Sequence, residues 1–147
     1  MDKGKLIDSF SDTMKKCNTD EDLCRYISRS INSSKIYKPE DYPALPRRRY
    51  EKSMLSISSK RTFEAAMSVA PGKKVCVLNF ACGTHPGGGV NGGASAQEES
   101  LCRCSTLYPV IKKQSPFYLY NSVKKSEAYT DICIYSPEIV VIKFSLT

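Results

Sequence analysis

Between positions 79 and 108 the chain reads NFACGTHPGGGVNGGASAQEESLCRCSTLY, which sets three successive glycines, 87 to 89, seven residues ahead of Gln97, Glu98 and Glu99. Glycine carries no Cβ, so Gly87, Gly88 and Gly89 let backbone N–H groups come close to an anion such as a phosphate. Neighbouring carboxyls suit acid–base work at a glycosidic bond, one moving a proton and the other anchoring the sugar. Gly92 and Gly93 extend the flexibility of the turn.

These residues need elements to hold them. Val75 to Phe80 is a continuous apolar run of the kind found in buried strands, and the glycine loop leaves its C-terminal end. Ser95 and Glu98 then form an S-x-x-E capping box, followed by Leu101, Cys104 and Leu107 as the apolar face of a helix. Strand, glycine loop and helix in that order is where open α/β sheets place ligands. Glu98 thus has a structural reading as the N3 partner of the box. Glu99 has none; it projects from the first helical turn toward the glycines and is the catalytic choice. A helix N-terminus favours the ionised carboxylate, which is wrong for a general acid, so the like charge of Glu98 has to oppose it. Asn79, at the end of the strand, has an amide that can hold a sugar hydroxyl.

Other reactive side chains are weaker candidates. His85, the single histidine, could be grouped with Cys82, Cys102 and Cys104 as a zinc site, but a C-x-C pair on a helix faces two sides and lacks the usual C-x₂₋₄-C spacing. His85 is read as part of the loop wall. A Cys102 nucleophile would need a positive partner that nothing in the sequence supplies. The nine tyrosines are read as core and surface residues rather than as a stacking platform for bases.

The rest of the chain falls into two further parts. Apolar residues recur at helical spacing from Lys3 to about Ser34, which predicts two amphipathic helices broken near Asn18, with Asp20 as an N-cap. Prolines 39, 43 and 46 mark a loop or arm from Lys38 to Arg49. Thr62 to Ala70 reads as a helix stopped by Pro71-Gly72. Phe117 to Tyr120, Ile132 to Tyr135 and Ile139 to Phe144 read as strands. The expected division is 1–50, a helical region with a proline-rich arm, and 51–147, an α/β unit.

At 147 residues, 41% of them hydrophobic and 25% charged, the chain has the size and composition of one globular domain. Seven scattered cysteines argue for reduced thiols rather than a secreted disulfide scaffold. No apolar run reaches the ~20 residues of a membrane span, and the N-terminus lacks a signal-peptide core. A soluble intracellular protein, cytoplasmic or nuclear, is expected. The net charge of +7 favours a polyanionic partner, but it is spread along the chain, and its one tight cluster, Arg47 to Arg49, reads as a solvated loop.

The spacing GGG, seven residues, QEE, with the flanks NFA, PGGG and AQEESLCR, resembles the signature of poly(ADP-ribose) glycohydrolases of the microbial type. FYLYN at 117–121 and YTDICIYSPEIVV at 129–141 extend the resemblance. It implies a macrodomain-like α/β fold, a mixed sheet flanked by helices, with residues 51–147 forming the N-terminal half of the catalytic domain. Family members continue with further strands, a second phosphate loop and an adenine-stacking aromatic, so the fold is expected to be incomplete at its C-terminal end. The implied activity is hydrolysis of ribose–ribose bonds without metal or other cofactor, on poly(ADP-ribose) or an ADP-ribosylated protein. In that reading Gly87 to Gly89 cradle the diphosphate, whose charge also favours a protonated Glu99. Gln97 positions the loop or the ribose, Glu98 and Asn79 hold ribose hydroxyls, and Glu99 is the proton donor. Two alternatives stand beside it: an ADP-ribose-binding remnant, or a half-protein completed by a second chain docking along Ile139 to Leu146. Nucleic acid ranks last as a partner.

Overall fold

The computed structural model describes residues 2–42, 44, 47, 50–69, 72–123 and 130–144. Helix α1 (Lys3–Thr19) starts where the Asp2 carboxylate accepts the Gly4 N–H at 2.9 Å, and it buries Leu6, Phe10, Thr13 and Cys17, one residue per turn. Asp20 joins it to α2 (Glu21–Ser33). Its N–H closes α1 on the Lys16 carbonyl at 3.0 Å, and its carboxylate accepts the Leu23 N–H at 3.0 Å. The two amphipathic helices and the Asp20 cap are as the periodicity predicts.

Strand β1 (Lys35–Tyr37) follows and pairs antiparallel with β2 (Cys133–Tyr135), in the register Lys35 with Tyr135 and Tyr37 with Cys133. Helix α3 (Thr62–Val69) agrees with the expected element; Ala70 and Pro71, its predicted end, lie outside the described residues. Beyond the glycine turn come α4 (Gln97–Cys104), α5 (Leu107–Ile111) and α6 (Ser115–Val123). The fold is therefore α/β, with helices around a small sheet.

Three expected strands are not formed. Val75 to Phe80 joins no sheet among the described residues and is not buried: Leu78 is 69% and Phe80 73% exposed, and only Val77 packs on the core. An apolar run becomes a strand only when a neighbouring backbone pairs with it, and no described segment does so here. Phe117 to Tyr120 lies within α6, where adjacent Phe117 and Tyr118 are both buried, an arrangement that a two-residue alternation does not give. Ile139 to Phe144 makes a single antiparallel bridge, Ser105 to Val141.

The described part of the expected docking edge is also used internally. The Ile142 N–H donates to the Cys104 carbonyl at 2.7 Å, closing the C-terminus of α4, and Ile139 and Ile142 pack on the core. Residues 145 and 146 of that edge, like Arg48 and Arg49 of the basic cluster, lie outside the described residues.

The main core joins α1 to the glycine turn and α4–α5: Phe10, Val90, Leu101, Cys102, Leu107, Tyr108 and Ile111 form one cluster. Phe10 meets Tyr108 edge-on, with ring centroids 5.0 Å apart. A second cluster, Cys17, Ile27 and Val110, ties in α2, and a third packs Phe117, Tyr118 and Ile132 beside the small sheet. The N-terminal helices therefore pack behind the glycine turn.

Candidate active site

The predicted capping box does not form. The N-cap of α4 is Ala96, one residue later than Ser95, and it makes no side-chain cap bond. That shift frees Glu98 from helix capping and turns it to the chain before the glycines. Its Oε1 accepts the Asn79 amide at 3.2 Å and its Oε2 accepts the Cys82 N–H at 2.8 Å. Glu98 is 3% exposed. Burial raises its pKa above the ordinary glutamate value, and the hydrogen bonds from Cys82, Asn79 and the Gly87 backbone offset part of that rise.

Glu99, 7% exposed, points to the glycine turn as expected: its Oε1 accepts the Gly89 N–H at 3.0 Å. The close approach depends on missing side chains. Gly88 has φ +54, and a Cβ there would stand 2.5 Å from Glu99 Oε1. Gly87 has φ +72, and its Cβ would stand 2.7 Å from the Tyr108 ring; at Gly89 it would stand 2.9 Å from the Ala94 Cβ. All three positions require glycine for packing. The Gly88 N–H donates to the His85 carbonyl at 3.0 Å, so with Gly87 on Glu98 and Gly89 on Glu99 all three N–H groups are engaged, and what the turn gives most clearly is proximity.

Gln97 faces away from the carboxyls and acts on the chain. Its Nε2 donates to the Leu78 carbonyl at 2.8 Å, and its Oε1 accepts the Phe80 N–H at 2.8 Å. Those bonds copy the way a parallel strand grips a residue from both sides, with Asn79 between them. Asn79 is thereby held so that its Nδ2 meets Glu98, while its Oδ1, buried, has no hydrogen-bond partner among the described residues. A buried amide oxygen left unpaired is costly and marks a place where a donor fits.

All seven predicted site residues thus gather at the start of α4 and the turn before it. His85 is exposed on the loop, its Nδ1 2.9 Å from the Thr84 hydroxyl. Cys102 is fully buried and its thiol is pushed up by burial first and then by Glu98 and Glu99, which keeps it protonated. Three contributors escaped the sequence reading. Cys82 acts through its N–H, for which side-chain type gives no signal. Tyr108 supplies the wall that Gly87 meets. Tyr118 is buried, and burial, then the charge of Glu98, raises its phenol and keeps it neutral. Reading its segment as a strand hid its place.

A glycine turn, two buried carboxyls and an unpaired amide oxygen converging on one helix start define an α/β protein with a carboxyl-lined site. Residues 8–144 match the family model of the microbial-type PARG catalytic domain, and the chain belongs to that family. Among solved structures it is similar to poly(ADP-ribose) glycohydrolase from Thermomonospora curvata: 26% identity, TM-score 0.80, covering 94% of this chain and 56% of that one. It is also similar to the glycohydrolase of that organism bound to the inhibitor ADP-HPD, at 25% identity and TM-score 0.80, covering 98% and 59% of the two chains. The chain spans a little over half the length of these structures. No curated protein matches it.

Proposed function

We propose that the site hydrolyses the ribose–ribose O-glycosidic bond of poly(ADP-ribose), releasing ADP-ribose. The observation that carries this is the pair of buried carboxyls, Glu98 and Glu99, beside Asn79, whose buried Oδ1 is left for a hydroxyl donor. A ribose hydroxyl donates to that oxygen and another to Glu98, which fixes the sugar over Glu99. Protonated Glu99 gives its proton to the departing ribose oxygen as the C–O bond breaks. The oxocarbenium-like carbon then takes a water, whose proton returns to the Glu99 carboxylate. One carboxyl serves both steps, unlike the opposed pair of common glycosidases. Gly87 to Gly89 form the wall against which the diphosphate lies, and Gln97 positions the segment bearing Asn79. An ADP-ribosylated protein is the other substrate class compatible with this site.

In this reading residues 51–147 are the N-terminal half of a PARG-type macrodomain and residues 1–50 its helical support. The protein works inside the cell, in cytoplasm or nucleus. Among the described residues no helix is long and apolar enough to cross a membrane.

A second reading, ADP-ribose binding without turnover or activity only with a completing chain, draws on the segment of Leu78 and Phe80, two exposed apolar residues that join no sheet among the described residues. The deciding experiment is release of ADP-ribose from poly(ADP-ribose) by the purified chain, beside Glu99→Ala. Turnover lost in the variant supports the hydrolase. A folded chain that binds ADP-ribose but releases none refutes autonomous hydrolysis and supports the second reading.

A further inference from the structure

On the side of α4 opposite Glu98 and Glu99 lies a cavity of about 280 Å³, bounded by the starts of α3 and α4 and by Phe144. Two arginines line it, Arg61 and Arg103. Arg103 is only 3% exposed; one of its nitrogens donates to the Ala94 carbonyl at 2.5 Å. Among the described residues neither arginine belongs to an ion pair. The carboxylate in the lining, Glu64, accepts the Arg61 backbone N–H at 3.2 Å, as a cap at the start of α3. Ala96, the N-cap of α4, has no side chain to satisfy that helix's first-turn N–H groups.

A buried guanidinium with a like-charged neighbour and no carboxylate bound to it is costly unless an anion compensates it. Burial first, and the charge of Arg61 last, shift the Arg103 pKa downward, while the charge of Glu99 offsets part of that shift. Two arginines and two helix starts bordering one concavity suit a tetrahedral, multiply charged acceptor better than a single carboxylate.

We propose that this cavity is a second anion site that takes a small phosphate-bearing ligand, separate from the Glu98–Glu99 site. It stands independently of the glycohydrolase reading. Because Gln97 lines the cavity and also grips Leu78 and Phe80, an occupant there would bear on the segment that holds Asn79.

The test is titration of inorganic phosphate into the full chain at fixed ionic strength, followed by backbone amide shifts. Saturable shifts should centre on residues 61–64 and 95–104. Arg61→Ala, which changes an exposed side chain, should weaken the affinity about tenfold, and Arg61→Lys should recover part of it. Absence of saturation, shifts confined to residues 87–89, or equal affinity in Arg61→Ala would each overturn the proposal.

Discussion

At the scale of single residues the site is a contest between desolvation and hydrogen bonding, and two side chains make it measurable. Burial holds the Glu98 carboxyl above its ordinary value. The folded state therefore binds that proton more tightly than the unfolded chain. The Glu98 contribution to stability is full below the ordinary glutamate value, falls as pH rises to the folded value, and levels off beyond it. Denaturant unfolding from about pH 4 to about pH 8 should show this downward slope in the difference between the parent and Glu98→Gln, which has nothing to titrate there. A flat difference would show that the hydrogen bonds from Cys82 and Asn79 cancel the burial. Asn79 gives the complementary case. Removing its side chain loses one bond to a carboxylate, worth ~1.5–3 kcal/mol, and also removes an unpaired buried oxygen that costs ~1–3 kcal/mol. Asn79→Ala should therefore change stability by less than about 1 kcal/mol while weakening ADP-ribose binding by about tenfold or more, as measured by unfolding and titration calorimetry. Large destabilisation with unchanged binding would make Asn79 a structural residue.

At the scale of elements the glycine turn and α4 act as one part, because the backbone of one is in contact with the carboxyls of the other. Gly88 and Gly72 separate conformation from contact. Both have positive φ, +54 and +69, but a Cβ at Gly72 meets nothing within 4 Å, whereas at Gly88 it meets Glu99 at 2.5 Å. Gly72→Ala should cost only the left-handed backbone term, ~1–2 kcal/mol. Gly88→Ala should add displacement of Glu99, abolishing turnover of poly(ADP-ribose), or shifting the α4 amide resonances where turnover cannot be read. Equal effects of the two would place the role of Gly88 in the backbone alone. The motif was legible for the same reason: Gly87–Gly89 and Glu98–Glu99 are joined by a short turn, so their spacing alone brings them together. The helices of residues 3–33 and 62–69 were legible through local periodicity. Val75 to Phe80 was not, because pairing is decided by a distant backbone, and in its place the side chain of Gln97 supplies the bonds. The S-x-x-E pattern misled because it fits equally well a helix starting one residue later, with Glu98 turned to Cys82 rather than to its own cap.

At the scale of the whole molecule the question is whether the N-terminal helices are a separate unit or the foundation of the site. Three contacts bear on it. The Thr13 hydroxyl, fully buried, donates to the Arg103 carbonyl at 2.5 Å. Gly93 lies so near α1 that a Cβ would stand 2.8 Å from the Lys3 carbonyl oxygen. Phe10 shares its cluster with Val90, Leu101 and Tyr108, residues of the turn and of the two helices after it. Removing a buried phenylalanine side chain costs ~3–5 kcal/mol, a large share of the ~5–15 kcal/mol that holds a typical domain. If α1 and α2 fold apart from the rest, Phe10→Ala should raise hydrogen exchange in residues 3–33 and leave residues 87–111 protected. If they share one cooperative core, protection should fall in both stretches by a similar factor, with the Gly89 amide that binds Glu99 among those released. The shared cluster predicts the second outcome, and with it that the carboxyl pair is held in place by a helix that contributes no residue to the chemistry.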